Sequence, residues 1–117
     1  MNQDTPHDLI SEKAFLGCLL VDGSSYDEIM ELGLLREDFY HPQYGLIFDS
    51  IKDLHYASRP IDLITVCTKL ADVGTIDQVG GQSAILEITE EHASSANIHH
   101  YGKTIKEKSL LRNIVKT

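Results

Sequence analysis

Apolar residues return at three- and four-residue spacing in block after block along this chain, and glycine, proline or aspartate separates one block from the next. That period places side chains on one face of an α-helix, whereas a half-buried strand would need strict alternation. A first helix is expected over 8–21, with Asp8 as N-cap or, as an alternative, Thr5 with Pro6 behind it. Leu9, Leu16, Leu19 and Leu20, with Ile10 and Phe15, make its wide apolar face, and Gly17 mid-helix marks a close backbone approach. Asp22-Gly23 ends it. Ser24 or Ser25, with Asp27 or Glu28 completing a capping box, starts a short helix lined by Ile29, Met30 and Leu32 and stopped by Gly33. A turn follows at Arg36-Glu37-Asp38. His41-Pro42 opens a helix carrying Tyr44, Leu46, Ile47, Phe48, Ile51 and Leu54, which Ser58-Arg59-Pro60 breaks. Asp62 caps a fourth helix, with Leu63, Val66, Cys67 and Leu70 inward and Gly74 after its end. Val79-Gly80-Gly81 makes a turn before a helix over 82–90 that uses Ile85, Leu86 and Ile88. Asn97 caps the last, from 98 to at least 115. The β-compatible stretches 19–21 and 63–66 both lie inside capped helical patterns. The fold class expected is all-α, a compact bundle of about six helices.

The last helix changes face. Ile98, Tyr101 and Ile105 cluster on one side, whereas Leu110, Leu111, Ile114 and Val115 centre about 140° further round. Lys103, Lys106, Glu107 and Lys108 intervene. The first half is expected to pack on the preceding helices and the second half to present its apolar face elsewhere. The end at residue 117 is then either a frayed terminus or the interruption of a longer helix whose partner lies later in the chain or on another subunit.

Charge divides at the same place. The net charge is −8 over 117 residues. Residues 1–96 carry five basic and seventeen acidic side chains, and residues 97–117 carry five basic and one acidic. An acidic head argues against wrapping phosphates, and a hydrophobic fraction of 42% argues against a disordered acidic tail. Cys18 and Cys67 sit in apolar stretches and are expected to be reduced and inert. The apolar run 14–21 is too short to span a bilayer and follows Asp4, Asp8 and Glu12 instead of basic residues, so a cytoplasmic location is expected.

Tests for chemistry return little. His99 and His100 are adjacent, so a helix turns them about 100° apart, and no metal-ligand spacing occurs. Gly102-Lys103-Thr104 resembles the end of a phosphate loop, but Asn97 stands where the first glycine belongs and a helix leaves no free amides there. Glu90-Glu91 beside His92 could form an acid–base pair, but a solvated helix end is the expected reading. No catalytic, cofactor or metal residues are expected in this stretch.

Five ordered blocks nevertheless carry a resemblance. They are Pro6-His7-Asp8-Leu9-Ile10-Ser11-Glu12 with Leu16-Gly17-Cys18-Leu19-Leu20; Asp38-Phe39-Tyr40-His41-Pro42 with Ile47-Phe48; Pro60-Ile61-Asp62-Leu63-Ile64-Thr65-Val66; Gly74, Ile76, Val79, Gly80 and Gly81; and Ser95-Ala96-Asn97-Ile98, Tyr101, Ile105-Lys106-Glu107-Lys108 and Arg112. In this order and spacing the chain resembles the N-terminal domain of the DnaB-type bacterial replicative DNA helicases. It departs at Ser83-Ala84-Ile85, where a tyrosine is common in the family, and near Ala93-Ser94, where a proline is usual.

The resemblance implies a collar domain of a hexameric ring. It divides the chain into a helical head at 1–96 and, from 97 to 117, the start of a helical hairpin, with the linker and RecA-like motor outside it. It further implies that ATP and Mg act only in the parent protein. The implied partners are other helicase subunits, primase and a helicase loader, with no direct DNA contact and no membrane. The candidate interface is Leu110, Leu111, Ile114 and Val115, rimmed by Lys106, Lys108 and Arg112. Two alternatives stand beside this reading: the helicase-binding domain of a bacterial primase, and a small enzyme using Glu91 and His92.

Overall fold

Helix α1 (Leu9–Val21) begins at Asp8, whose carboxylate accepts the Ser11 N–H at 3.0 Å and the Ser11 hydroxyl at 2.9 Å. The structure, a computed structural model, describes residues 8–91 and 96–116. Thr5, Pro6, His7, His92, Ala93, Ser94 and Ser95 lie outside the described residues, as does the side chain of Val115. The remaining α-helices are α2 (Pro42–Tyr56), α3 (Leu63–Asp72), α4 (Gly81–Glu91) and α5 (Ile98–Lys116). Three 3-10 segments, Gly23–Glu28, Met30–Leu32 and Arg36–Asp38, join α1 to α2. The fold is all-helical, with no strand among the described residues.

Helix α1 is the axis. It packs against α5, α4 and α2, and so has buried residues around most of its circumference, from Ser11 and Glu12 through Leu20. Its first two residues run past this cover. Leu9 and Ile10, expected on the inner face, are therefore exposed, Ile10 at 75%. Gly17 is buried within α1. The short helix expected before Gly33 is instead the first two 3-10 segments. The first is capped by Asp22, which accepts the Ser24 N–H at 3.2 Å, in place of either serine. Gly33 closes them at φ 61°, a left-handed conformation that glycine adopts without penalty.

The sequence-based boundaries of the other helices agree with the structure to within a residue or two. Pro42 occupies the first turn of α2. Asp62 and Thr65 exchange two bonds of 2.9 Å in a reciprocal capping arrangement at α3. Gly80 and Gly81, at φ 96° and 77°, make the turn into α4. Within the helices, Leu86 is exposed while Ile85 and Ile88 are buried. Leu63 and Cys67 are only partly covered, while Cys18 is fully buried, and neither cysteine forms a disulfide.

The core centres on three phenylalanines brought together from α1, the turn before α2, and α2. Ring centroids are 6.0 Å apart for Phe15–Phe39, 5.8 Å for Phe15–Phe48 and 5.2 Å for Phe39–Phe48. Such tilted contacts contribute about 0.5–1.5 kcal/mol each beyond their buried area. Tyr26 extends the cluster, stacked on His55 at 4.2 Å. Gly102 lets α5 approach. A Cβ there would stand 2.7 Å from Leu32 Cδ1 and 2.9 Å from Phe15 Cε1. The Gly102-Lys103-Thr104 tripeptide thus lies inside α5, with Gly102 serving its packing.

Candidate assembly interface on α5

Helix α5 has two faces. Toward the head it buries Ile98, Gly102, Ile105, Ser109 and Arg112, at steps of four, three, four and three residues. These positions fall within about 80° of one another on a helix. Leu110, Leu111 and Ile114 centre on the opposite side and are 53%, 46% and 68% exposed. The apolar face of the second half therefore does point away from the head, as the apolar pattern predicts. The helix itself does not leave the head. Its inner stripe continues in a straight line but turns polar after Ile105.

That polar continuation is satisfied by one short segment, 38–42. Asp38 is buried. Its Oδ1 accepts the Ser109 hydroxyl at 2.6 Å, and its Oδ2 accepts the Leu35 N–H at 2.8 Å and Lys106 Nζ at 3.2 Å. Its backbone carbonyl accepts Arg112 Nη2 at 2.6 Å. The Arg112 guanidinium lies 5.5 Å from the centroid of the Tyr40 ring. From the other side, Glu12 of α1, only 2% exposed, accepts the Tyr40 N–H at 2.7 Å and the His41 N–H at 3.3 Å, and its carboxylate lies 3.0 Å from His41 Nδ1. Two buried carboxylates thus hold the segment, which in turn joins α1, α2 and α5. Buried charges persist only when paired and hydrogen-bonded in this way.

These contacts revise the expected rim. Arg112 is 7% exposed and bonded inside the chain, and Lys106 reaches inward to Asp38 and to the Gly33 carbonyl at 3.4 Å. Lys108 is half-buried and faces the start of α1. Partial burial pushes the Asp8 carboxyl up, but the Ser11 bonds and the Lys108 charge outweigh it and leave it below its ordinary value. Of the seven candidate residues, the structure therefore places Leu110, Leu111 and Ile114 on one open face and turns Lys106 and Arg112 inward. Sequence reasoning missed Glu12 and Asp38. The available signal was an acidic residue inside each of two ordered blocks, which spacing alone cannot tell from a solvated charge or a cap. Glu91, proposed as half of an acid–base pair, forms an ion pair with Lys13 at 3.0 Å. Among the described residues no three His, Cys, Asp or Glu side chains converge as metal ligands, and no helix is long and apolar enough to cross a membrane.

The architecture is an all-helical domain whose last helix docks by a seam that is apolar to Ile105 and polar beyond it, and carries an open apolar face. The model of the DnaB-like helicase N-terminal domain matches residues 4–107, and the chain belongs to that family. It is 32% identical to the replicative DNA helicase DnaC of Bacillus subtilis, over 96% of this chain and 24% of that protein. It is 34% identical to the replicative DNA helicase DnaB of Haemophilus influenzae, over 94% of this chain and 23% of that protein. The chain thus spans about a quarter of the length of these relatives. The crystal structure of the N-terminal domain of DnaB helicase from Mycobacterium tuberculosis superposes with a TM-score of 0.91 at 30% identity, covering 97% of this chain and 80% of that one. The N-terminal domain of Helicobacter pylori DnaB, which has been described together with its interactions with primase, superposes at 0.74 with 26% identity, covering 91% of this chain and 81% of that one.

Proposed function

We propose that this chain is the collar domain of a hexameric replicative DNA helicase, in which it mediates subunit assembly and offers a docking platform for primase. ATP-dependent unwinding, with its ATP and Mg, belongs to the motor of the parent protein. The helicase side is preferred over a primase module because the family matched is the helicase's own N-terminal domain.

The observation that carries the assembly role is the open apolar face of Leu110, Leu111 and Ile114 on a helix otherwise anchored to the head. Covering the exposed halves of three such side chains contributes about 1 kcal/mol each. That is less than the roughly 4 kcal/mol or more lost on association. A two-fold pairing uses the same face twice and so approaches balance, with further contacts making up the rest. The acidic head suits a platform that leaves DNA to the motor. By linkage, primase bound to one collar arrangement would bias the ring toward it.

Leu111→Asp and Ile114→Asp in the full-length helicase should abolish hexamers in sedimentation velocity runs. The same changes in this chain should leave its melting temperature within about 2 °C, because both positions face solvent. Hexamers that persist in both variants would overturn the assignment.

A further inference from the structure

Beyond Ile105, the buried head-facing positions of α5 carry a serine and an arginine where the first half carries isoleucines. An apolar seam is non-directional and tolerates sliding or rotation. Hydrogen bonds are directional, and bonds to a charged acceptor are the strong ones. The last turns of α5 are held through Lys106, Ser109 and Arg112, all of which converge on Asp38, 68 to 74 residues earlier in the chain. Both carboxylate oxygens and the backbone carbonyl of Asp38 are used, so the contacts fix rotation about the helix axis as well as proximity.

We propose that Asp38 is a positioning residue for the assembly face: its clasp on Lys106, Ser109 and Arg112 sets the direction in which Leu110, Leu111 and Ile114 are presented. This rests on the reading of those three residues as an assembly face. Asparagine at position 38 keeps the shape and the Arg112 bond to the carbonyl but offers only one side-chain acceptor. Its NH2 can still donate to the Ser109 hydroxyl while its oxygen accepts from Leu35 and Lys106, so what it removes is the carboxylate charge that strengthens the Ser109 and Lys106 bonds. The apolar face stays intact while the clasp that orients it is weakened. Ser109→Ala removes one bond of the same clasp and makes a milder version.

Hydrogen exchange on this chain tests the clasp. Asp38→Asn should speed amide exchange over 106–114 by about tenfold, through the loss of charge assistance at Ser109 and Lys106, with α2, α3 and α4 unchanged. Ser109→Ala should repeat the pattern at lower amplitude. Unchanged exchange at 106–114 in both variants, or an equal rise in every helix, would overturn the clasp, and Ser109→Ala decides the matter if Asp38→Asn does not fold. The positioning role is read in the full-length helicase. Asp38→Asn should raise the midpoint concentration for hexamer assembly by about tenfold if one helix direction in ten is competent. Faster exchange with an unmoved midpoint would overturn positioning. Leu111→Asp separates the two readings, since it should abolish assembly without changing exchange at 106–109. If it leaves assembly intact, the assembly face itself is wrong, whatever Asp38 does.

Discussion

Replacing Glu12 by glutamine tests whether the 38–42 segment is held from the α1 side by charge. The carboxylate accepts the Tyr40 and His41 amides at 2.7 and 3.3 Å and meets His41 Nδ1 at 3.0 Å. Glutamine has the same shape but a single acceptor oxygen. At least one of these groups then faces an amide NH2, with almost no water to relieve it. A bond to a charged acceptor contributes about 1.5–3 kcal/mol, and an unmet buried donor costs a similar 1–3. These are two views of one loss, so the expected change is about 2–3 kcal/mol. A chain of this length unfolds with an entropy of roughly 0.25 kcal/mol/K, which converts that change into a fall in melting temperature of about 8–12 °C. Calorimetry or circular dichroism measures it, and a urea titration at constant slope confirms that the native state is the one affected. His41→Ala, at a partly exposed partner, should cost about 1 kcal/mol, and the double variant should cost less than the sum because the two share a contact. A fall of less than about 2 °C for Glu12→Gln, or strict additivity with His41→Ala, would refute the reasoning.

Three further outcomes are expected. Gly102→Ala gains roughly 1 kcal/mol of helix propensity but pushes on Phe15, whose ring is locked by Phe39 and Phe48, so a net loss of about 1–2 kcal/mol should appear in thermal melts; a higher melting temperature would contradict the packing. Asp62→Ala removes the reciprocal cap of α3 and should cost about 1 kcal/mol by the same measurement, with a null effect showing that the cap is not used. Burial, with Tyr56 beside it, pushes the Tyr26 phenol up to about 12. The unfolded chain gives up that proton near 10, so this contribution is complete below pH 10 and is lost as pH rises through 12. Urea midpoints at pH 9 and 11.5 should therefore converge in Tyr26→Phe relative to the parent chain, and equal slopes in the two would dispose of the effect.

The sequence of this chain by itself determined where its helices start and stop, and the family to which its ordered blocks belong. Asp8, Asp62, Pro42 and the left-handed Gly33, Gly80 and Gly81 act on neighbours three or four residues away, and such local chemistry is written in local spacing. The open face of Leu110, Leu111 and Ile114 was legible for the same reason, since a helix period needs no knowledge of what lies opposite. What only the tertiary structure decided was the fate of the charges. Glu12 and Asp38 look like the other acids of an acidic head, and Arg112 looks like a rim cation. Whether a charge can be buried depends on partners brought up from 28 to 74 residues away. No periodicity records those partners, because a desolvated charge is stabilised by the atoms around it in space, and its position along the helix is compatible with either fate.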